Sequence, residues 1–141
     1  MSPDIELSLH DYVDSQIGIP FEFGVHDCPL FVLGAIDIIC KTDRRKDFSG
    51  LWHDQKSAWR YARKHGDITQ HLLQWGWQRV DIEFIQTGDI IIMSQDMAHA
   101  KKWRSVAVCM GSKVAIVTNE NGVEMVAIEE VPNVTGVVRW Q

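Results

Sequence analysis

The sequence predicts an α+β protein, with helices in its N-terminal half and an antiparallel sheet in its C-terminal half. Three observations carry this expectation. Helix caps and apolar residues at helical spacing fill most of residues 1–76. From about residue 80 the chain changes to short β-branched runs separated by Gly, Asn and Pro. Between these halves' surfaces must lie residues 29–40, an apolar run that predicts a helix buried on nearly all sides.

The elements follow in order. Ser2-Pro3-Asp4 opens an amphipathic helix over 4–17, with Ile5, Leu9, Tyr12, Val13 and Ile17 on its inner side. Gly18 and Pro20 end it. Phe21 to Asp27 lead into Cys28 and Pro29, and proline fits a first helical turn because its missing N–H has no partner there anyway. The helix over 29–40 carries Leu30, Phe31, Val32, Leu33, Ala35, Ile36, Ile38 and Ile39. It is too short to span a bilayer and contains Asp37, so no membrane segment is expected. Residues 41–50 predict a polar surface loop. His53 or Asp54 opens a third helix through Ala58, Trp59 and Ala62, closed by Gly66. Asp67-Ile68-Thr69-Gln70 has capping-box spacing and opens a short helix that stops at Gly76.

The C-terminal half predicts a meander of strands. Val80, Ile82 and Phe84 alternate with acids, and Ile90 to Met93 form a buried strand. Residues 94–104 are polar and predict a loop or an irregular segment. Strands follow at 106–110, 114–118, 123–131 and 136–140, and Gly111-Ser112 has the chemistry of a two-residue hairpin turn. There is no repeat, linker or low-complexity segment, so residues 1–141 read as one domain.

Composition narrows the function classes. Apolar residues make up 45% and charged residues 23%, the balance of an ordinary globular protein. A net charge of −5 argues against a general nucleic-acid binder. Two basic clusters stand out locally, at 44–46 and at Arg60, Arg63 and Lys64. Residues 1–20 lack the basic start and apolar core of a signal peptide. Three widely spaced cysteines, Cys28, Cys40 and Cys109, fit free thiols in a reducing compartment rather than a disulfide framework. No Cys-x-x-Cys or His-x-x-x-His pair is present, so no metal or other cofactor is expected.

Cys28 is the residue that carries chemistry. A thiol at a helix N-terminus feels the positive end of the dipole, which favours the reactive thiolate. A cysteine nucleophile also needs a base within hydrogen-bond reach and a third group to orient that base. His26 and Asp27 immediately precede it, and His99 lies in the polar segment 94–104. The plain alternative is a polar turn that caps the helix, with Asp27 accepting backbone N–H groups.

The run Phe23-Gly24-Val25-His26-Asp27-Cys28, the apolar helix after it, Thr87-Gly88-Asp89-Ile90-Ile91-Ile92 and Val106-Ala107-Val108-Cys109-Met110-Gly111 together resemble the NlpC-type cysteine peptidases of the papain-like superfamily. More narrowly, the chain resembles compact NlpC relatives encoded among bacteriophage tail genes, and Arg139-Trp140 suits their C-terminal Arg/Trp pair. The resemblance implies a papain-like fold with Cys28 as nucleophile. It also implies a catalytic histidine at the position that here holds Ser105, which is no base near neutral pH. His26 and His99 are the substitutes the sequence offers. Two readings follow. One is a structural or assembly protein of a phage tail tip, part of the virion, with a degenerate peptidase site. Its partners would be other tail-tip or baseplate proteins, met through segments 41–52 and 94–104. The other is an active cysteine peptidase cutting peptidoglycan peptides during phage entry. The serine at 105 favours the first.

Overall fold

The computed structural model describes residues 1–97 and 100–141, those at 96, 97 and 100–102 by backbone alone. Its helices precede its sheet, as expected. α1 (Pro3–Gln16) starts where the Ser2 hydroxyl accepts from the Ile5 amide at 3.3 Å. It buries Leu9 and Val13 completely. α2 (Cys28–Cys40) starts one residue earlier than proline spacing alone suggests, because Asp27 is its N-cap. Every residue from Leu30 to Ile36 on α2 is buried. α1 crosses α2 at Gly34, where an added Cβ would strike the ring and hydroxyl of Tyr12. The Tyr12 hydroxyl donates to the Phe31 carbonyl at 2.7 Å and its ring stacks on Phe31.

The segment expected as a loop at 41–50 contains one helical turn, α3 (Arg45–Phe48). Asp37 organises it. Its carboxylate accepts from the Thr42 hydroxyl at 2.6 Å and from the amides of Arg44 and Arg45 at 2.8 and 3.0 Å. α4 (Gln55–His65) and α5 (Ile68–Gln74) both open with capping boxes, built on Asp54 with Ser57 and on Asp67 with Gln70.

Six strands form one antiparallel sheet: β1 (Gln78–Val80), β2 (Ile90–Met97), β3 (Ala100–Cys109), β4 (Lys113–Thr118), β5 (Gly122–Ala127) and β6 (Val134–Arg139). Their spatial order is β1-β6-β2-β3-β4-β5. Thus β2 to β5 meander, but β6 leaves the meander and inserts between β1 and β2. Residues 94–97 and 100–104 of the polar segment are strand rather than loop. β2 and β3 run through most of it as paired strands, with Ser94 opposite Arg104 and Gln95 opposite Trp103. Ladder hydrogen bonds hold this part, so it needs no apolar face to mark it in the sequence. Two strand expectations shorten for a different reason. Ile82–Phe84 and Ile128–Glu130 turn into single 3₁₀ turns, the first capped by the Asp81 carboxylate.

The sheet is apolar on both faces. Ile90, Ile92, Val106 and Val108 join the helices in the main core. Their neighbours Ile91, Ala107, Cys109 and Val137 form a second cluster on the opposite face with Val114 and Val131. At the far end of β6, Arg139 clamps the buried Asp89 with two bonds of 2.8 Å, and also donates to the Phe84 carbonyl at 2.7 Å. Trp140 packs against Trp77. No helix among the described residues is long and apolar enough to cross a membrane.

Candidate functional site

The first residue of α2 and the neighbouring strand β3 both line a cleft of about 160 Å³. The loop before α2 supplies one wall with Phe21 and Phe23, and α2 adds Cys28 to it. α4 and α5 supply another through Tyr61, Ala62 and His71, and β3 closes the third with Trp103, Arg104 and Ser105. A space of this size takes one benzene-sized group rather than a whole small molecule.

Asp27 builds the cleft's thiol wall. Its Oδ1 accepts from the Leu30 amide at 3.1 Å, which caps α2. Its Oδ2 accepts from the Gly24 amide at 2.8 Å and from the Trp52 indole N–H at 2.7 Å. The carboxylate is 2% exposed, so these three donors take the place of water. Gly24 adopts a φ of +77°, and a Cβ there would strike the Trp52 carbonyl. One aspartate therefore ties the loop, the helix start and Trp52 together. The capping role foreseen for Asp27 is filled by Oδ1, and among the described residues no histidine is hydrogen-bonded to the carboxylate.

The Cys28 thiol lies against the backbone of Val106 on β3. Burial pushes it up to about 12, the Val106 amide offsets part of that rise, and the Asp27 charge adds to it. The helix dipole was expected to draw the thiol down, but one favourable helix end does not outweigh loss of water from the thiolate.

His26 is nearby in sequence and turned away in space. It is 4% exposed, does not line the cleft, and its Nε2 sits 3.1 Å from the Gln16 side-chain oxygen on α1. Its Nδ1 is buried without a hydrogen-bond partner. Burial lowers its pKa below the usual imidazole range, Arg45 lowers it further, and Asp27 partly offsets this. Ser105 does line the cleft, on the strand that the thiol faces. His99 lies outside the described residues.

Two groups that sequence reasoning had no ground to single out also reach the cleft. Arg104 grips Asp67, the cap of α5, through bonds of 2.7 and 2.9 Å. His71 lies one turn further along α5, stacked on Trp75 and edge-on to Phe48. Its Nε2 is buried without a hydrogen-bond partner, and burial lowers its pKa against the opposing effects of Asp67 and the Gly66 backbone. The i, i+4 spacing of Asp67 and His71 was readable, but not that β3 would supply the opposite wall. Among the described residues no three His, Cys, Asp or Glu side chains converge to hold a metal. Cys40 and Cys109 stand apart from the cleft, the first beside the Trp77 indole and the second in the far-face cluster.

Fold and cleft define a class: an α+β protein in which a buried helix presents a cysteine from its first turn to an antiparallel sheet. Within it, the chain belongs to the family described as "Domain of unknown function (DUF6950)", which matches residues 1–134. No curated protein matches the chain.

Proposed function

We propose that this protein is a non-catalytic docking module built on an NlpC-like, papain-like fold, and that it serves in the assembly of a bacteriophage tail tip. The observation that carries the reading is the state of Cys28. Its thiol is held up to about 12, and no hydrogen bond joins it to a histidine among the described residues. Asp27 is consumed by structural donors, and Ser105 stands where the resemblance places a histidine. A thiol raised by burial, with no histidine bonded to it among the described residues, leaves a shaped aromatic cleft suited to receive a side chain of a partner. The phage assignment, and with it the virion location and tail-tip partners, rests on the sequence resemblance.

The second reading, a peptidase acting on peptidoglycan peptides, draws on the placement of Cys28 at a helix start opposite Ser105. There the thiol would pass its proton to a base and attack an amide carbonyl, with N–H groups at the start of α2 meeting the oxyanion. Iodoacetamide alkylation of Cys28 across pH separates the two. Docking predicts slow labelling that rises only well above the ordinary thiol range. Fast labelling near neutral pH, together with release of new amines from peptidoglycan, overturns it in favour of the peptidase.

A further inference from the structure

The charge of this chain is segregated along its sequence. Residues 1–40 contain seven Asp or Glu and no Lys or Arg, whereas residues 41–66 contain eight Lys or Arg and three Asp. The fold gathers part of each excess on one helix face. On α1, Asp4, Leu7, Asp11 and Asp14 recur at i, i+3, i+7 and i+10, and all four are exposed. Leu7, in the middle of this acidic stripe, is 62% exposed. On α4, Lys56, Arg60 and Arg63 recur at i, i+4 and i+7 and are exposed, beside the half-buried Trp59 on which Arg63 stacks. Gln55, Ala58, Tyr61 and Ala62, on the other side of α4, line the cleft, so the basic stripe points away from it. None of these acids or bases makes an ion pair within the described residues.

We propose that the protein pairs with a second copy of itself, the acidic outer face of α1 on one copy seated against the basic outer face of α4 on the other. The two stripes match in charge and in length of about two to three helical turns. Each has an apolar side chain within it, Leu7 and Trp59, to be covered on contact. Exposed ion pairs are weak and screened by salt, so the association is concentration-dependent and salt-sensitive. The proposal concerns faces away from the cleft and stands whether or not the cleft docks a partner.

Sedimentation velocity of the full chain tests it. The weight-average mass is expected to climb above the monomer with concentration near 0.01 M salt and to return to the monomer near 1 M, where the Debye length has shrunk from about 30 Å to about 3 Å. Asp11→Lys/Asp14→Lys and Lys56→Glu/Arg60→Glu are each expected to remain monomeric at low salt. An equal mixture of the two is expected to associate again, because each restores the face the other lacks. Asp11→Asn/Asp14→Asn, which keeps side-chain shape, is expected to weaken association about tenfold or more. A wild-type chain that stays monomeric at low salt overturns the proposal, as does association indifferent to either reversal or a mixture that fails to recover.

Discussion

Asp27 and Asp89 are both buried aspartates, 2% and 1% exposed, and the protein satisfies them in opposite ways. Asp27 is surrounded by neutral donors: two backbone amides and an indole N–H, all within 25 residues of it along the chain. Asp89 is met by a guanidinium fork from Arg139, 50 residues away, with the Gln86 amide completing the shell. The first arrangement shapes a loop, and the donors it sets against the carboxylate carry no charge. The second locks the last strand to the body of the sheet. A cation at Asp27 would have lowered the neighbouring thiol, whereas an uncompensated Asp27 charge helps to raise it.

Breaking the ionic arrangement should have the largest effect. Arg139→Ala leaves Asp89 buried and unpaired, and a loss of about 3–5 kcal/mol is expected in urea unfolding. Asp89→Leu/Arg139→Leu should recover part of that loss, since removing both partners leaves no orphan charge. A double variant as unstable as the single one would show that packing, not charge, dominates there. Asp27→Ala should cost less, about 2–4 kcal/mol, from a lost helix cap and two orphaned buried donors. It should also speed alkylation of Cys28, because one group that raises the thiol is gone. An unchanged labelling rate would remove Asp27 from the account of the thiol. Trp52→Phe deletes one of the three donors and should cost about 1 kcal/mol.

The smallest effect concerns pH. Burial depresses both His26 and His71, so below about pH 6.5 the unfolded chain takes up protons that the folded chain refuses. Stability should therefore fall as pH drops through that value, and melting temperatures at pH 7 and pH 5 would measure it. His26→Gln should reduce the difference. If the melting temperature does not move, neither ring is held neutral by the fold.

The contrast also bears on what the sequence could reveal. Local signals were readable: Pro29 with the apolar run after it placed α2, and Asp67 with Gln70 placed the start of α5. Asp27 as a cap was readable for the same reason, since its Leu30 partner lies three residues on. The indole of Trp52 and the guanidinium of Arg139 were not, because nothing local pairs them with a particular acid. The strand character of 94–97 and 100–104 was hidden by polarity, as ladder bonds use backbone groups common to every residue. β6 left no trace of its position between β1 and β2, because strand order is settled by the whole sheet. At the cleft, the sequence named Cys28 and Ser105 but took the dipole as the deciding influence. Only the packing of α2 against β3 shows that burial decides instead.

One consequence reaches back to the birth of the chain. The seven successive buried residues of α2 have no sheet to cover them until β3 has been made, roughly 70 residues later. At about 5–20 residues per second, the ribosome leaves that greasy helix waiting for on the order of 4–14 s. During that interval it is the part of the nascent chain most exposed to misassociation, and the part a chaperone would be drawn to shield.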